Sequence, residues 1–432
     1  MTYGLIGEHL PHSFSKEIHA KCASYDYILK ELTPEEVGPF MEKGDFSAIN
    51  VTIPYKQTVM PYLTEIHRAA KDIGAVNTVV NKNGKLYGYN TDFYGLLSLL
   101  RHAGISLGGR KVMVLGSGGT ARPARAVARA AGAAAIVTVE RRPKSGSVSY
   151  EEAVTLHSDA EVIFNTTPVG MYPYADGAEH IAAVPIDVLR FPRLVGVVDA
   201  VYNPLRTNLV SEARAAGIPA EGGLYMLVGQ AVVASRVFLG EDFDTVAADP
   251  ETDALTARIF RLAACEKENL VLTGMPSSGK STVGALLARD LGRPFIDTDA
   301  EIVKAAGCDI PTIFRERGES GFRALEREVV SRIANGVTGA VIATGGGAIL
   351  DDGNVRALGR TGRRYFLDRP LSALLPTDDR PLASSREAIR RRYEERYGRY
   401  LATCDLRVPN EGTAEEAALL IRKDFFHEDT RH

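Results

Sequence analysis

Two glycine-rich loops constrain the fold of this chain more than any other feature. An apolar run leads into each loop and a helix-forming stretch follows: residues 111–115 precede 116–121, and residues 269–273 precede 274–281. A strand, a glycine-rich turn and a helix in this order form a phosphate-binding unit, because the turn leaves backbone amides free to donate at the helix N-terminus. Such units are typical of α/β proteins with parallel sheets, which we therefore expect here.

The same alternation of apolar runs and amphipathic stretches continues along the whole chain. Further strand-like runs are residues 3–6, 135–139, 162–165, 195–199, 340–344 and 364–367. A length of 432 residues with 45% hydrophobic and 24% charged residues indicates a folded chain of about three domains. A polar, acidic segment at 242–253, a helix over 254–264 and a polar break at 265–268 predict the main boundary near residue 266.

Charge and cysteine usage exclude several classes of protein. Lys plus Arg is 51 and Asp plus Glu is 54, so a net charge of −3 gives no overall attraction to nucleic acid or to an anionic membrane. The longest apolar run, residues 130–139, is too short to cross a bilayer, and no signal peptide is visible. Six arginines at 386–399 lack interleaved stacking aromatics apart from tyrosines at helical spacing, which favours a solvated helix. The four cysteines are far apart and form no CxxC motif: Cys22, Cys265, Cys308 and Cys404. This spacing argues against a disulfide framework or a zinc site and predicts a protein of the reducing cytoplasm.

The first loop, Gly116-Ser-Gly-Gly-Thr-Ala121, fits the GxGxxA pattern of dinucleotide-binding folds. Its expected pyrophosphate contacts are Gly116, Gly118, Gly119, Thr120 and Ala121. The next strand ends in Glu140, whose carboxylate suits the ribose hydroxyls of NAD, but Arg141 and Arg142 suit the 2′-phosphate of NADP. The three cations of 141–144 make NADP the expected cofactor, and Glu140 leaves NAD open.

Ordered motifs in the first 264 residues resemble the shikimate dehydrogenase family. They are His12-Ser-Phe-Ser15, Asn50-Val-Thr-Ile-Pro-Tyr-Lys56, Gly74-Ala-Val-Asn-Thr78, Asn90-Thr-Asp92, Asn165-Thr-Thr-Pro-Val-Gly-Met171, Tyr202-Asn-Pro-Leu205 and Gly223 to Gln230. The resemblance implies that Lys56 supplies a proton to a reduced carbonyl oxygen and that Asp92 orients it. It also implies substrate contacts from Ser13, Ser15, Thr52, Asn77, Tyr202 and Gln230, with Met226 near the nicotinamide.

The second loop, Gly274-Met-Pro-Ser-Ser-Gly-Lys-Ser281, is a complete P-loop pattern. Its amides are expected to cradle ATP phosphates, while Lys280 reaches the β and γ oxygens and Ser281 ligates Mg²⁺. The nucleotide contacts we expect are Gly274, Ser278, Gly279, Lys280, Ser281 and Thr282.

The residues after the P-loop resemble the shikimate kinase family. The shared motifs are Phe295-Ile-Asp-Thr-Asp299, Gly318-Glu-Ser-Gly-Phe-Arg323 with Glu326, Thr344-Gly-Gly-Gly347, Arg380-Pro-Leu382, and Arg396 with Tyr400. The resemblance implies that Asp299 accepts the hydrogen bond of the attacking hydroxyl and that Asp297 acts on Mg²⁺. The resemblance also implies that Arg323 and Arg396 bind the substrate carboxylate and that Gly346 and Gly347 let backbone amides come close to the substrate. It implies that Arg380, a residue of the lid, stabilises the phosphoryl group during transfer. The lid segment is short, which leaves its closure open.

Together the resemblances imply a fusion of two enzymes acting on one hydroxylated carboxylic acid. The expected architecture is an α/β substrate domain at 1–102 completed by 223–264, a Rossmann domain at 103–222 and a P-loop kinase at 266–432. The implied reactions are reduction of 3-dehydroshikimate to shikimate with NADPH and phosphorylation of shikimate by ATP, toward chorismate and the aromatic amino acids. Two alternatives stay open: a quinate or NAD-linked dehydrogenase, and a P-loop module that is inactive or acts on another substrate.

Overall fold

The computed structural model describes residues 2–10, 13–173, 177–375 and 385–426. The chain divides into two compact units, Met1–Ala263 and Ala264–His432. In the described part of the chain, no helix combines the length and the apolar character needed to span a membrane.

The N-terminal unit contains strands β1 to β11 and helices α1 to α11. The strands are β1 Tyr3–Gly7, β2 Tyr27–Glu31, β3 Ala48–Val51, β4 Glu65–Ile66, β5 Thr78–Lys82, β6 Lys85–Tyr89, β7 Lys111–Leu115, β8 Ala135–Val139, β9 Val162–Asn165, β10 Gly196–Asp199 and β11 Ala220–Glu221. The helices are α1 Ser15–Cys22, α2 Pro34–Lys43, α3 Arg68–Ile73, α4 Asp92–His102, α5 Ala121–Ala130, α6 Tyr150–Leu156, α7 Gly177–Ala182, α8 Asn208–Ala215, α9 Leu224–Phe238, α10 Phe243–Ala248 and α11 Pro250–Lys267. Short 3-10 turns lie at Met60–Tyr62 and Val188–Arg190.

The first sheet has the strand order β2-β1-β3-β5-β6-β4 and is mixed rather than parallel. Strand β5 runs antiparallel to both β3 and β6, and the register places Asn50 opposite Thr78. The β5–β6 connection is a tight turn in which Asn83 and Gly84 have φ values of 56° and 80°. Positive φ at both positions is what a two-residue hairpin requires, and Asn-Gly is the preferred pair. The expectation of parallel sheets is therefore wrong for this part of the first sheet.

The second sheet is entirely parallel, with the order β11-β10-β9-β7-β8. Strand β7 lies between β9 and β8, and its last four residues are fully buried, as expected for an inner strand covered on both faces. Helix α5 follows the first glycine loop, and its alanines pack on β7 and β9 with the apolar residues of α4. The Rossmann-type sheet expected from the sequence is confirmed.

Helix α9 returns the chain to the first sheet. Val233, Ala234 and Phe238 pack with Leu5 and Val80 in one buried cluster.

The segment after α9 is more helical than its sequence indicated. The helix predicted over 254–264 is present within α11, but α10 and the two ends of α11 also make most of the polar segment 242–253 and of the predicted break at 265–268 helical. Asp242 and Asp253 explain this: Asp242 caps α10 through the amide of Thr245, and Asp253 anchors α11.

The C-terminal unit is a second α/β structure. Its strands are β12 Asn269–Thr273, β13 Phe295–Asp297, β14 Val341–Ala343, β15 Gly362–Asp368 and β16 Leu406–Pro409. Its helices are α12 Lys280–Leu291, α13 Thr298–Ala306, α14 Ile310–Gly336, α15 Asp352–Thr361, α16 Arg386–Thr403 and α17 Ala414–Phe425, with 3-10 turns at Ala348–Leu350 and Leu371–Ala373. All strands are parallel, in the order β13-β14-β12-β15-β16. The central parallel sheet expected of a P-loop fold is confirmed.

Candidate active sites

A largely buried ion pair joins the segment after β3 to the start of helix α4. Lys56 follows β3, and Asp92 is the first residue of α4. The Lys56 Nζ donates to Asp92 Oδ2 at 2.7 Å, and the two side chains are only 12% and 7% exposed. The position of Asp92 at the N-terminus of α4 also suits a carboxylate, because the helix dipole places positive potential there. The pair can therefore deliver a proton to a substrate oxygen and bind a hydroxyl beside it.

Two amides lie near this pair with their donor groups left for a ligand. Asn77 Oδ1 accepts from the backbone amide of Thr91 at 2.8 Å and from the Thr78 hydroxyl at 3.1 Å, so its acceptor capacity is used. Its Nδ2 donates once, to Thr91 Oγ1 at 3.0 Å. Gln230 on α9 uses one N–H on the carbonyl of Leu227 and accepts from Thr91 Oγ1 at 3.3 Å. Each amide thus retains an N–H group.

The predicted substrate serines lie at the start of α1. The backbone amide of Ser15 donates to Ser13 Oγ at 3.3 Å, and Ser15 is buried. Between them, Phe14 contacts the ring of Tyr202 with centroids 5.2 Å apart, which joins this segment to Tyr202. Thr52 donates its backbone amide to Ile6 beyond the end of β3. Burial raises the pKa of Tyr202, so its hydroxyl stays protonated.

The first glycine loop lies next to Lys56. A Cβ on Gly119 would lie 3.7 Å from Lys56 Cδ, whereas a Cβ on Gly118 would meet open space. Gly116 has φ 96° at the end of β7, and Thr120 and Ala121 begin α5. The loop is thus open to a ligand on one side and touches the lysine stem on the other.

Met226, the residue expected near the nicotinamide, lies on α9 and is buried against α4. Its backbone oxygen is so close to Gly95 that a Cβ on Gly95 would lie 2.5 Å away.

Glu140 at the end of β8 is already hydrogen-bonded within the protein. Ser147 Oγ donates to Glu140 Oε2 at 2.6 Å. Hydrogen bonds from Ser117 and then Ser147 lower the pKa of Glu140. Arg141 and Arg142 are exposed beside it.

The P-loop of the C-terminal unit has the expected geometry for phosphate binding. Gly274 and Gly279 have φ values of 149° and 92°, and α12 begins at Lys280. The buried Lys280 Nζ donates to the carbonyl oxygens of Gly274 and Met275 at 2.9 and 2.8 Å, so its ammonium group is held over the loop. Ser278 is buried at the turn and Thr282 is exposed on the first turn of α12.

Oxygen donors converge where β13 ends beside the P-loop. Ser281 Oγ donates to Asp297 Oδ2 at 2.8 Å. The other oxygen of Asp297 caps α13 by accepting from the backbone amide of Asp299 at 3.0 Å. A hydroxyl and a carboxylate at this distance suit a hard cation such as Mg²⁺.

Two arginines converge on the glycine run after β14. Arg396 is buried and donates to the carbonyl of Gly346 at 3.1 Å; the Tyr400 hydroxyl donates to the same oxygen at 2.5 Å. The guanidinium of Arg323 lies where a Cβ on Gly347 would be, which explains why glycine occupies that position.

Arg323 is also paired with a buried acid. Its Nη1 donates to Glu326 Oε2 at 2.7 Å, and Glu326 is 1% exposed. Burial raises the pKa of Glu326, and the positive charge of Arg323 opposes that rise. Asp299 Oδ1 and Glu326 Oε1 both lie against the backbone at Gly345, which places Asp299 near the Arg323–Glu326 pair. The predicted lid residue Arg380 lies outside the described residues.

Several supporting residues had not been given roles from the sequence. Thr91 lies inside a quoted motif, and its hydroxyl links Asn77 to Gln230. Thr298 Oγ1 accepts from the amide of Gly345 at 2.9 Å, a contact signalled only by its place between the two predicted aspartates. Asn410 Nδ2 donates to the carbonyl of Ser278 at 2.6 Å across a long stretch of chain, and no local sequence signal announces it.

Comparison with known proteins decides the family. Residues 5–79 match the model of the shikimate dehydrogenase substrate binding domain, and residues 276–424 match that of shikimate kinase. A shikimate dehydrogenase (NADP(+)) of Clostridium beijerinckii is 36% identical over 251 residues, which are 55% of this chain and 91% of that protein. The chain belongs to the shikimate dehydrogenase family. A shikimate kinase domain follows in the same chain, so an oxidoreductase and a kinase are combined.

Solved structures agree with this family membership. A chorismate mutase/shikimate 5-dehydrogenase fusion protein from Clostridium acetobutylicum is 33% identical, with a TM-score of 0.54, and the match covers 61% of this chain and 96% of that one. A shikimate 5-dehydrogenase from Thermus thermophilus in complex with NADP(H) and shikimate is 28% identical, with a TM-score of 0.50 and coverage of 60% and 100%. These matches cover the dehydrogenase part of the chain, as the sequence motifs predicted.

Proposed function

We propose that the N-terminal unit reduces 3-dehydroshikimate to shikimate with NADPH and that the C-terminal unit phosphorylates shikimate with MgATP. The observation that carries the first activity is the buried Lys56–Asp92 pair at 2.7 Å beside the open glycine loop at Gly119. The similar protein solved with NADP(H) and shikimate supports both the cofactor and the substrate. The kinase domain implies ATP and Mg²⁺ as its cofactors.

We assign the parts of the chain accordingly. Residues 1–102, completed by 223–264, bind the acid; residues 103–222 bind the dinucleotide; and residues 266–432 form the kinase.

In the reduction, Lys56 acts as the general acid. NADPH, when bound at residues 116–121, supplies the hydride. The ammonium group of Lys56 gives its proton to the oxygen that becomes the new hydroxyl, and Asp92 holds the lysine in place. Lys56 then recovers a proton from solvent, so one proton is consumed for each carbonyl reduced.

Hydrogen-bond polarity fits a polyhydroxylated ring. Asn77 and Gln230 each keep an N–H for a ring oxygen, whereas Asp92 can accept from a ring hydroxyl. Ser13, Ser15, Thr52 and Tyr202 supply hydroxyl groups for the remaining polar atoms of the acid, including its carboxylate.

In the phosphorylation, charge placement supplies most of the catalysis. Arg323 and Arg396 clamp the carboxylate through their planar guanidinium groups. Asp299 accepts the hydrogen bond of the attacking hydroxyl, which forms a bond to the γ-phosphorus while the bond to the β–γ bridging oxygen breaks. Lys280 exchanges its loop carbonyls for phosphate oxygens when ATP binds.

The metal site uses oxygen donors of this chain. Ser281 would ligate Mg²⁺ directly, and Asp297 would hold it through water, because Mg²⁺ retains much of its hydration shell. The 2.8 Å contact between the two side chains fits such a shared site. Arg380 is proposed to stabilise the transferring phosphoryl group from the lid.

A second candidate for the dehydrogenase is NAD-linked oxidation of quinate or shikimate, favoured by the carboxylate of Glu140. Against it, Ser117 and Ser147 already hydrogen-bond that carboxylate, and Arg141 and Arg142 remain exposed for a 2′-phosphate. We expect kcat/KM for NADPH to exceed that for NADH by at least about tenfold, the effect of one charge-assisted hydrogen bond. Equal or reversed preference, with quinate turnover, would establish the second candidate instead.

Product analysis by mass spectrometry tests the two activities together. The purified chain is incubated with 3-dehydroshikimate, NADPH and MgATP, and shikimate 3-phosphate is the expected product. Shikimate alone would refute the kinase assignment, and unchanged starting material would refute the dehydrogenase assignment.

Two lysine variants should separate the activities. Lys56→Met should lower dehydrogenase kcat by about 10²- to 10⁴-fold and leave the kinase unchanged. Lys280→Met should lower kinase kcat by about 10²- to 10³-fold and leave the dehydrogenase unchanged. The exposed residues Lys71 and Lys304 provide matched Lys→Met controls. Loss of both activities from either single change would contradict independent sites.

A further inference from the structure

A buried amide side chain from the far end of the kinase unit contacts the P-loop. Asn410 directly follows β16 and is 3% exposed, and its Nδ2 donates to the carbonyl oxygen of Ser278 at 2.6 Å. The backbone amide of Asn410 donates to the carbonyl of Asp368, at the end of β15, at 2.9 Å, which holds the residue in place. Asn410 also lies close to the next residue of the loop, since a Cβ on Gly279 would be 3.1 Å from Asn410 Nδ2.

This contact acts on one peptide group, the one that joins Ser278 to Gly279. The peptide groups on either side are held by the loop and by α12: the amide of Ser278 donates to the carbonyl of Met275 at 3.1 Å, and the carbonyl of Gly279 accepts from the amide of Val283 at 2.9 Å. Among the described residues, the carbonyl of Ser278 accepts from Asn410 alone, and the amide of Gly279 donates to no protein group. Asn410 is therefore the one hydrogen-bond partner that the described residues give this peptide group.

The orientation of this peptide group decides what the loop offers to an anion. In a planar trans peptide the C=O and the N–H point in opposite directions, so a carbonyl held by Asn410 turns the N–H of Gly279 to the other side. Rotation of the group by a half turn changes only ψ of Ser278 and φ of Gly279. Glycine accepts φ of either sign, so the φ of 92° at Gly279 does not by itself prevent that rotation. A rotated group would present an oxygen where a P-loop presents a donor to phosphate.

Lys280 does not hold this peptide group. Its Nζ donates to the carbonyls of Gly274 and Met275, at the beginning of the loop. In the proposed reaction Lys280 exchanges these carbonyls for phosphate oxygens when ATP binds. The bond from Asn410 uses no group that the phosphates need, so it can persist in the nucleotide complex.

We propose that Asn410 is a positioning residue of the kinase: its side-chain amide holds the carbonyl of Ser278 and so keeps the N–H of Gly279 directed at the phosphate groups of the nucleotide. The inference rests on the proposed function. Asn410 acts through the peptide group that it holds and needs no contact of its own with ATP or shikimate.

The first test is Asn410→Leu in the full chain, with MgADP binding measured by titration calorimetry. Leucine is similar in size to asparagine but cannot donate a hydrogen bond. We expect the Kd for MgADP to rise about three- to tenfold, the effect of one hydrogen bond. The Ki of adenosine as a competitor of ATP should stay unchanged, because adenosine has no phosphate, and so should KM for shikimate. A purely structural role would lower the thermal transition of the kinase unit without separating ADP from adenosine.

Asn410→Ala is the second variant, and it tests the inference if the leucine variant does not fold, because alanine removes the same donor without adding apolar bulk. Asn269→Ala is its matched control. Asn269 is fully buried at the start of β12, at the opposite end of the strand from the P-loop, and its Nδ2 donates to the carbonyl of Val337 at 2.8 Å. The control should lower the thermal transition of the kinase unit and leave the Kd for MgADP unchanged, whereas Asn410→Ala should raise that Kd.

Three results would contradict these expectations. A wild-type Kd for MgADP in either folded Asn410 variant would overturn the inference alone. Equal losses of ADP and adenosine affinity would also overturn it, because the change would then not act through the phosphate groups. Failure of the wild-type chain to bind MgADP would overturn the proposed kinase function and the inference with it.

Discussion

At the scale of single residues, His19 is the most deeply buried titratable base in the described dehydrogenase unit. It has no exposed surface, and its ring stacks on Tyr27 at an interplanar angle of 11°. Burial lowers the pKa of His19 to about 3, so the imidazole is neutral in the folded chain at any pH at which the enzyme would work. Its ordinary pKa of about 6.5 returns on unfolding.

This shift makes the stability of the dehydrogenase unit depend on pH. Between about pH 6.5 and pH 3, unfolding takes up a proton at His19, so the free energy of unfolding should fall by up to about 1.4 kcal/mol for each unit of acidification. His19→Phe should reduce this slope by that amount. Urea unfolding at pH 7 and pH 5, followed on the dehydrogenase transition, measures it. His9→Phe, an exposed control, should keep the wild-type slope.

Asp297 offers a second test on a single residue. Asp297→Asn preserves an oxygen that can cap α13 but removes the negative charge beside Ser281. We expect the Mg²⁺ concentration for half-maximal kinase activity to rise about 10- to 100-fold, with dehydrogenase activity unaffected. Asp309→Asn changes a comparable helix-capping aspartate, at α14, and should leave the Mg²⁺ requirement unchanged. An unchanged requirement in Asp297→Asn would remove Asp297 from the metal site.

At the scale of elements, the contact between α4 and α9 brings the parts of the dehydrogenase site together. Asp92 begins α4, while α9 carries Met226 and Gln230. Gly229 faces Gly95 so closely that a Cβ on Gly229 would lie 3.4 Å from Gly95 Cα. Two glycines without side chains at the crossing allow the helices to approach, and this fixes the separation of the carboxylate and the amide.

Gly95→Ala should therefore disturb the candidate dehydrogenase site by changing the distance between α4 and α9. The new methyl group would lie 2.5 Å from the Met226 backbone oxygen, a distance that forces the helices apart. Overpacking of this kind costs about 1–3 kcal/mol, so we expect the dehydrogenase thermal transition to move down and KM for shikimate to rise. Gly398→Ala, where a Cβ would meet no atom within 4 Å, is the control and should leave both the dehydrogenase thermal transition and KM for shikimate unchanged. A variant Gly95→Ala with wild-type stability would contradict this account of the crossing.

A comparison of the predicted with the observed strands and helices shows how much of the fold the sequence predicted. The parallel strands β7, β9 and β12 were predicted because buried strands produce short continuous apolar runs, and glycine-rich loops follow β7 and β12. The β5–β6 hairpin was missed although Asn83-Gly84 is a strong local turn signal. The helix predicted over 254–264 lies within α11, but the polar segment 242–253 and the break at 265–268 are largely helical as well, because acidic residues that cap and anchor helices have the same composition as an exposed polar segment.

At the scale of the whole chain, the predictions of site residues came from ordered motifs rather than from any local pattern. Lys56, Asp92 and Gln230 are far apart in sequence, and only the family resemblance joined them. Residues that support the candidate kinase site, such as Thr298 and Asn410, depend on tertiary contacts, and a single hydroxyl or amide carries no sequence signal of such a contact. The confirmed family therefore came from ordered motifs, whereas the contacts of such supporting residues required the structure.

The two sites are each built from residues of one unit: Lys56, Asp92 and Gln230 belong to the first, and Lys280, Asp299 and Arg396 to the second. Linking two enzymes in one chain raises the effective concentration of groups that bind each other, but it does not by itself hold a small diffusible product. We therefore expect shikimate to leave the dehydrogenase site and to equilibrate with solvent before it is phosphorylated.

A trapping experiment checks this expectation. The wild-type chain converts 3-dehydroshikimate to shikimate 3-phosphate in the presence of excess Lys56→Met/Lys280→Met double variant, which should retain Arg323 and Arg396 and so bind shikimate without turning it over. Free release predicts a lag in shikimate 3-phosphate formation that lengthens as the trap is added, because captured shikimate must dissociate before a wild-type kinase domain can use it. Added shikimate labelled with ¹³C should also dilute the unlabelled product in proportion to its concentration. A rate insensitive to the trap and a product free of label would instead require direct transfer between the two units, because a shikimate molecule that never enters solution can be neither captured nor exchanged.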